Sequence, residues 1–186
     1  MKIPPAYLLA VALASSPLFL TAAGAKEEEV INFLDMPRNS DGTYEKGYEY
    51  IFGDWEKKAV QIPFKGLLVN LTGSQGGVGD GHGLDFGKRT KARIVFILSG
   101  RSLARSFSLN LVDRDGTEQS FDVSLENLPR GVEQSVIVDL TKPSRETKPG
   151  STPGLNLKKL MSWQLTGNFQ SEPIEILFLR VAAVAE

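Results

Sequence analysis

Apolar residues recur at every second position in short runs, and turn-forming residues separate those runs. Phe107, Leu109 and Leu111 alternate with Ser106, Ser108 and Asn110, and Phe121, Val123 and Leu125 alternate with Asp122 and Ser124. Period-two alternation buries one face of a strand. Between the two runs lies Asp113-Arg114-Asp115-Gly116, and Asp-Gly accepts the positive φ of a tight turn, so a hairpin is predicted. Met161, Trp163 and Leu165 alternate with Ser162 and Gln164, which assigns Trp163 to the core. Further strands are predicted over residues 30–34, 58–62, 66–72, 132–140 and 173–184, with Pro63 separating the second and third. Residues 92–99 are apolar on both faces, Ile94, Phe96 and Leu98 against Val95 and Ile97, as in a central strand covered on both sides. Gly100-Arg101-Ser102-Leu103-Ala104 reads as a hairpin connection, residues 142–154 as a Pro/Gly/Lys-rich link, and residues 155–160 as a helical turn. About eight or nine short strands with turns between them predict an all-β fold, a single-domain β-sandwich of the jelly-roll type.

The N-terminus has a different pattern. Lys2 precedes an apolar stretch that runs from Tyr7 to Leu20, Ala23-Gly24-Ala25 follows, and Lys26-Glu27-Glu28-Glu29 ends the apolar character. The stretch is shorter than the roughly 20 residues of a membrane span and matches the core of a signal peptide. The expected organisation is a signal peptide over 1–25 and a β-sandwich domain over 26–186, secreted or periplasmic, with no membrane span after cleavage.

Composition then removes whole classes of chemistry. There is no cysteine, hence no disulfide, no thiolate zinc site and no cysteine nucleophile. One histidine, His82, excludes any site built on two imidazoles. With 21 Lys+Arg against 22 Asp+Glu the formal charge is −1, which supplies no drive toward nucleic acid. Residues 73–87 are dense in glycine, but the spacing fits neither phosphate-binding loop and no helix pattern follows. The stretch reads as a mobile surface loop or a turn that brings backbones close. Within it Asp80, His82 and Asp85 offer two carboxylates and an imidazole to one divalent ion. Ser102 between small residues superficially resembles a nucleophile elbow, but a strand pattern follows it and His82 precedes it. No pair of carboxylates stands out at a spacing that would single out a glycosidase acid and nucleophile. The expectation is a protein without catalytic residues.

Tyr44, Tyr48, Tyr50, Phe52 and Trp55 form an aromatic cluster interleaved with Glu45, Lys46, Glu49 and Asp54. Rings stack on the C–H faces of sugars while polar neighbours bind hydroxyls. The alternation of Tyr48, Tyr50 and Phe52 equally suits one buried strand face. Trp55, between charged neighbours, is the ring expected at the surface, and Ser106, Ser108, Asn110, Asp122 and Ser124 form an outward row that is either a solvated face or the floor of a polar groove.

The order from Gly76-Gly77 and Leu84-Asp85-Phe86 through residues 92–99 to Phe107–Leu111 and Asp113-Arg114-Asp115-Gly116-Thr117 resembles the galactose-binding-like β-sandwich, as do Gly154-Leu155-Asn156-Leu157-Lys158-Lys159-Leu160 and the closing strand 174–181. The likeness is to carbohydrate-binding modules and to the complex I intermediate-associated type of that fold. It implies binding of a glycan or polysaccharide through loops or a sheet face, and in many such domains a structural calcium; no other cofactor is implied. Tyr44, Tyr48 and Trp55 are the ligand-binding candidates. The alternative is an interaction module for another envelope or secreted protein, with an apolar patch at Tyr48–Trp55, and a third reading is a small hydrolase or lyase with a metal at Asp80, His82 and Asp85.

Overall fold

The computed structural model describes residues 27–34, 50–72, 75–81, 83–150, 153–169 and 172–185. Twelve strands and one helical turn follow in order: β1 Glu28–Asn32, β2 Tyr50–Gly53, α1 Trp55–Lys58, β3 Ala59–Ile62, β4 Gly66–Thr72, β5 Gln75–Asp80, β6 Lys91–Leu98, β7 Ser106–Asp113, β8 Glu118–Ser124, β9 Glu133–Asp139, β10 Arg145–Lys148, β11 Leu160–Asn168 and β12 Pro173–Val184. They build two antiparallel sheets. The first runs β3-β4-β12-β6-β9, with β1 also on β12, and the second runs β10-β8-β7-β11-β5-β2. The all-β sandwich expected from the alternation is therefore the fold.

The core lies between the sheets, where the alternating positions meet. Phe107, Leu109, Leu111, Phe121, Val123, Trp163 and Leu165 of the second sheet are all buried, as are Leu67, Val69, Ile94, Phe96, Ile176 and Phe178 of the first. Phe178 is the hub: it meets Phe107 edge-on at 5.2 Å, Phe96 at 6.3 Å and Phe33 at 6.2 Å between ring centroids. Each such side chain contributes about 1.5–3 kcal/mol on burial, which is how a chain without disulfides holds two sheets together.

The predicted hairpin is present. β7 and β8 pair from Ser106↔Ser124 to Val112↔Glu118, and Gly116 takes φ +87° in the turn between them. Four other expectations need correction. The Gly100–Ala104 connection is an arch, because β6 belongs to the first sheet and β7 to the second. Residues 155–160 form turns, and the helical turn is at α1. A strand, β10, sits inside the 142–154 link. Most consequential, part of the glycine-rich stretch is β5, held between β11 and β2. Glycine lowers strand propensity but does not bar a strand flanked on both edges, and here the absent side chains are what lets neighbours close in.

β6 is apolar on both faces, and on its outward face Val95 is buried opposite Arg180. Ile97 on the same face joins an aliphatic row across the first sheet, Val60↔Leu68, Leu68↔Leu177 and Leu177↔Ile97, each pair directly opposite in register. At the end of that sheet Glu27 bridges Arg93 and Arg180, the latter at 3.3 Å, and Glu28 meets Arg89 at 2.8 Å, fastening β1 to its neighbours.

Candidate functional site

The outer face of the second sheet carries an open groove of about 390 Å³. Its floor comes from alternation: with Phe107, Leu109 and Leu111 turned in, Ser108 and Asn110 of β7 are turned out, and with Leu165 turned in, Gln164 and Thr166 of β11 are turned out. Glu118 and Ser120 of β8 and Arg145 of β10 close one end. The other end is formed by Gln75 and Gly76 of β5 and by Phe52 of β2.

The glycines of β5 explain how an aromatic ring reaches this polar floor. Phe52 stands opposite Gly77 in register. A side chain at Gly77 would place its Cβ 2.8 Å from Phe52 Cζ and 2.9 Å from Thr166 Cγ2, and one at Gly79 would meet Gln164 Cγ at 2.7 Å. The bare backbone of β5 thus lets Phe52 from β2 and Thr166 from β11 approach across it.

Hydrogen bonds preset the floor. Asn110 Nδ2 donates to Thr166 Oγ1 at 2.9 Å, and Ser108 Oγ donates to Asp122 Oδ1 at 2.7 Å. Arg145 Nη2 stands 3.6 Å from the same Asp122 oxygen, so the one guanidinium lining the groove is partly neutralised. The result is a shallow trough of amide and hydroxyl groups with one ring, one cation and one carboxylate, Glu118. Hydrolysis of a glycoside calls for two carboxylates across the bond, whereas amides, hydroxyls and a ring are what grip a polyhydroxylated chain.

The residues singled out in the sequence meet different fates. Tyr44, Tyr48 and His82 lie outside the described residues. Trp55 is placed, and its expected exposure is wrong: it is 0% exposed, with its ring stacked on Phe169 and Phe178 at 6.2 Å from each. One helical turn spreads successive side chains around its axis, so Trp55 points into the core while Asp54, Glu56 and Lys58 face water. Gly76 makes room for it, since a Cβ there would lie 2.7 Å from Trp55 Cδ1. The patch expected at Tyr48–Trp55 accordingly lacks its tryptophan, and the aliphatic surface of the first sheet is elsewhere. Asp80 ends β5 opposite Trp163, while Asp85 Oδ1 accepts the Gly87 N–H at 2.7 Å in a turn of its own. Among the described residues no three His, Cys, Asp or Glu side chains group in a way that could hold a metal ion. The outward row of serines is found in part: Ser108 and Asn110 floor the groove, whereas Ser106 and Ser124 lie outside its lining. Gln164, Thr166, Arg145 and Phe52 also line the groove, and no sequence motif marks them as site residues. Gln164 is legible as an outward position beside Trp163, but nothing local announces that β5 lets Phe52 and Thr166 approach across Gly77.

With this geometry in place the likeness to known structures can be stated. No protein-family model and no curated protein matches the chain. Among solved structures, the family 11 carbohydrate-binding module of the cellulosomal cellulase Lic26A-Cel5E of Clostridium thermocellum superposes with a TM-score of 0.52 at 14% identity, over 88% of this chain and 97% of the module. An agarase, AgWH50C, superposes with a TM-score of 0.59 at 11% identity, over 86% of this chain. The chain spans 24% of that agarase. These likenesses show the fold, an antiparallel two-sheet β-sandwich like that of the carbohydrate-binding module.

Proposed function

We propose that the protein is a non-catalytic carbohydrate-binding domain and that the groove on the second sheet is where a polysaccharide chain lies. The observation that carries this reading is the ring of Phe52 set beside an array of hydroxyl and amide groups, Ser108, Asn110, Ser120, Gln164 and Thr166, in an open trough. An open trough accepts a chain that continues past both ends, and the preset bonds of Asn110 and Ser108 limit the ordering cost of binding. A secreted or periplasmic location, reached through the N-terminal 25 residues, belongs to the same proposal, because that is where polysaccharides are met. The module and agarase likenesses support it at the level of fold.

The test is a binding screen of the purified protein against soluble and insoluble polysaccharides, followed by titration calorimetry on Phe52→Ala and Asn110→Ala. Each is expected to weaken binding about tenfold, or ~1.4 kcal/mol, with the unfolding transition kept. Unchanged affinity in both variants would remove the groove from consideration. Absence of binding to every glycan would leave the interaction-module reading, which the aliphatic row Val60, Leu68, Leu177 and Ile97 favours.

A further inference from the structure

A sheet edge offers unpaired backbone groups to any other strand, and folded proteins blunt their edges with short strands, charge, bulges or proline. Four of the edges here are blunted in that way. β3, β2 and β10 have four residues each; β3 runs into Pro63, β2 closes on Gly53 at φ +64°, and β10 is charged and irregular in register. β1 is bulged and headed by Glu27, Glu28 and Glu29. β9 is different. It spans seven residues, contains no proline or glycine, pairs with β6 without a register shift, and its stretch Ser135-Val136-Ile137-Val138 carries no charge.

Which groups β9 turns outward follows from one bond. The Leu140 N–H donates to Thr90 O at 2.8 Å, just beyond the pair Lys91↔Asp139. Hydrogen-bonded pairs alternate in an antiparallel ladder, so Val138, Val136 and Gln134 bond to β6. Asp139, Ile137, Ser135 and Glu133 therefore turn their N–H and C=O groups to the far edge, where no other described strand pairs with β9 and where the Asp139 C=O accepts the Lys142 N–H at 3.2 Å. Along that edge, between β9 and β8, runs a cleft of about 300 Å³ in which Phe121, Val123, Leu128, Val136 and Val138 supply apolar surface. Near it Val132 is 52% exposed and Ile137 46% exposed.

We propose that β9 is where a second copy of this chain pairs, antiparallel, about a two-fold axis through Ser135. A register about Val136 would set Glu133 opposite Asp139, carboxylate against carboxylate. One about Ile137 would set Glu133 opposite Thr141, whose N–H is already held by Asp139. The register about Ser135 is the one that uses Glu133, Ser135 and Ile137 in full and leaves only the Asp139 N–H over. Ser135 exchanges both bonds with its counterpart, and Glu133 exchanges both with Ile137 of the second copy, six bonds in all by the alternation rule. Glu133 then faces an aliphatic side chain and no like charges stand opposite each other. Each copy's Val132 falls opposite the other's Val138, beside the apolar cleft. The contact is isologous, so it closes at two copies and does not propagate. The inference is independent of the glycan reading, since the groove lies on the other sheet.

The experiment is sedimentation velocity and light scattering on the purified protein, with three variants. Wild type is expected at twice the chain mass, and Ser135→Lys, which sets two ammonium groups opposite each other on an exposed position, at the chain mass with an unchanged circular dichroism spectrum. Ser135→Cys, in a chain without cysteine, is expected to form a disulfide-linked dimer, because paired Cα atoms about 5.5 Å apart are within bonding reach. Ile137→Cys is not, its own counterpart being several residues away along the ladder. A monomeric wild type, a dimer that survives Ser135→Lys, or cross-linking of Ile137→Cys in place of Ser135→Cys would each overturn the proposal.

Discussion

Trp55 shows how much a single side chain can carry in a fold without covalent staples. It is wholly buried, stacked against Phe169 and Phe178, and seated over Gly76. Trp55→Ala is expected to cost about 3–5 kcal/mol of stability, the range for truncating a buried aromatic ring, read as a lower midpoint in urea unfolding. Under conditions where the variant is folded, its glycan affinity should be that of wild type, because the ring does not face the groove. Asp139 makes a different residue-scale statement. The Thr141 hydroxyl donates to Asp139 Oδ1 at 2.6 Å, the Thr141 amide at 3.0 Å, and Lys142 Nζ sits 3.1 Å from Oδ2. The Thr141 hydroxyl bond first, then the amide bond and the Lys142 ammonium, hold the carboxyl down to about 2 from its ordinary 3.8. Because the folded value is the lower one, the turn is stabilised fully above pH 3.8 and loses that contribution as pH falls through about 2. A carbon-detected titration of the Asp139 carboxyl should show this midpoint, and Thr141→Val should move it back toward 3.8.

At the scale of elements, the connections are tied together as deliberately as the strands. Asp113, at the end of β7, is fully buried and accepts three backbone N–H groups. Those of Asp115 and Thr117 bond to Oδ1 at 2.9 and 3.0 Å, and that of Asn156 bonds to Oδ2 at 2.8 Å. One carboxylate therefore shapes the β7–β8 turn and fastens it to the loop that leads into β11. Asp113→Ala strands all three donors and is expected to cost at least about 2 kcal/mol, since each bond to a charged group is worth ~1.5–3 kcal/mol and an orphaned buried donor carries its own penalty. Loss of protection of the Asn156 amide in hydrogen exchange would locate the damage. The Asp-Gly turn itself was readable from its residues; its anchoring to a loop about 40 residues later was not, because a carboxylate's partner across the fold leaves no mark on local sequence. β5 carries the same lesson in reverse. Its glycines look like a loop when read alone, yet they form a strand because β11 and β2 supply both ladders and because Phe52, Trp55, Thr166 and Gln164 need the space.

For the molecule as a whole, a polar groove on one sheet and an unprotected edge on the other assign different tasks to different surfaces. Polysaccharide binding in the groove and pairing through β9 would together give a bivalent particle, whose avidity for a repeating chain exceeds either site's affinity. What the sequence by itself determined is the part governed by short-range periodicity. The class of fold, the inward set Phe107, Leu109, Leu111, Phe121, Val123, Trp163 and Leu165, the β7–β8 hairpin and the outward Ser108, Asn110 and Gln164 all follow from period two and from turn chemistry, which act between near neighbours. What only the tertiary structure decided is which strands lie side by side. That choice put Trp55 in the core, turned the glycine-rich run into β5, set Phe52 beside Thr166 and left β9 at an edge. Strand order depends on burial and ladder bonds between residues far apart in the chain, and no local pattern of hydrophobic and polar positions encodes them.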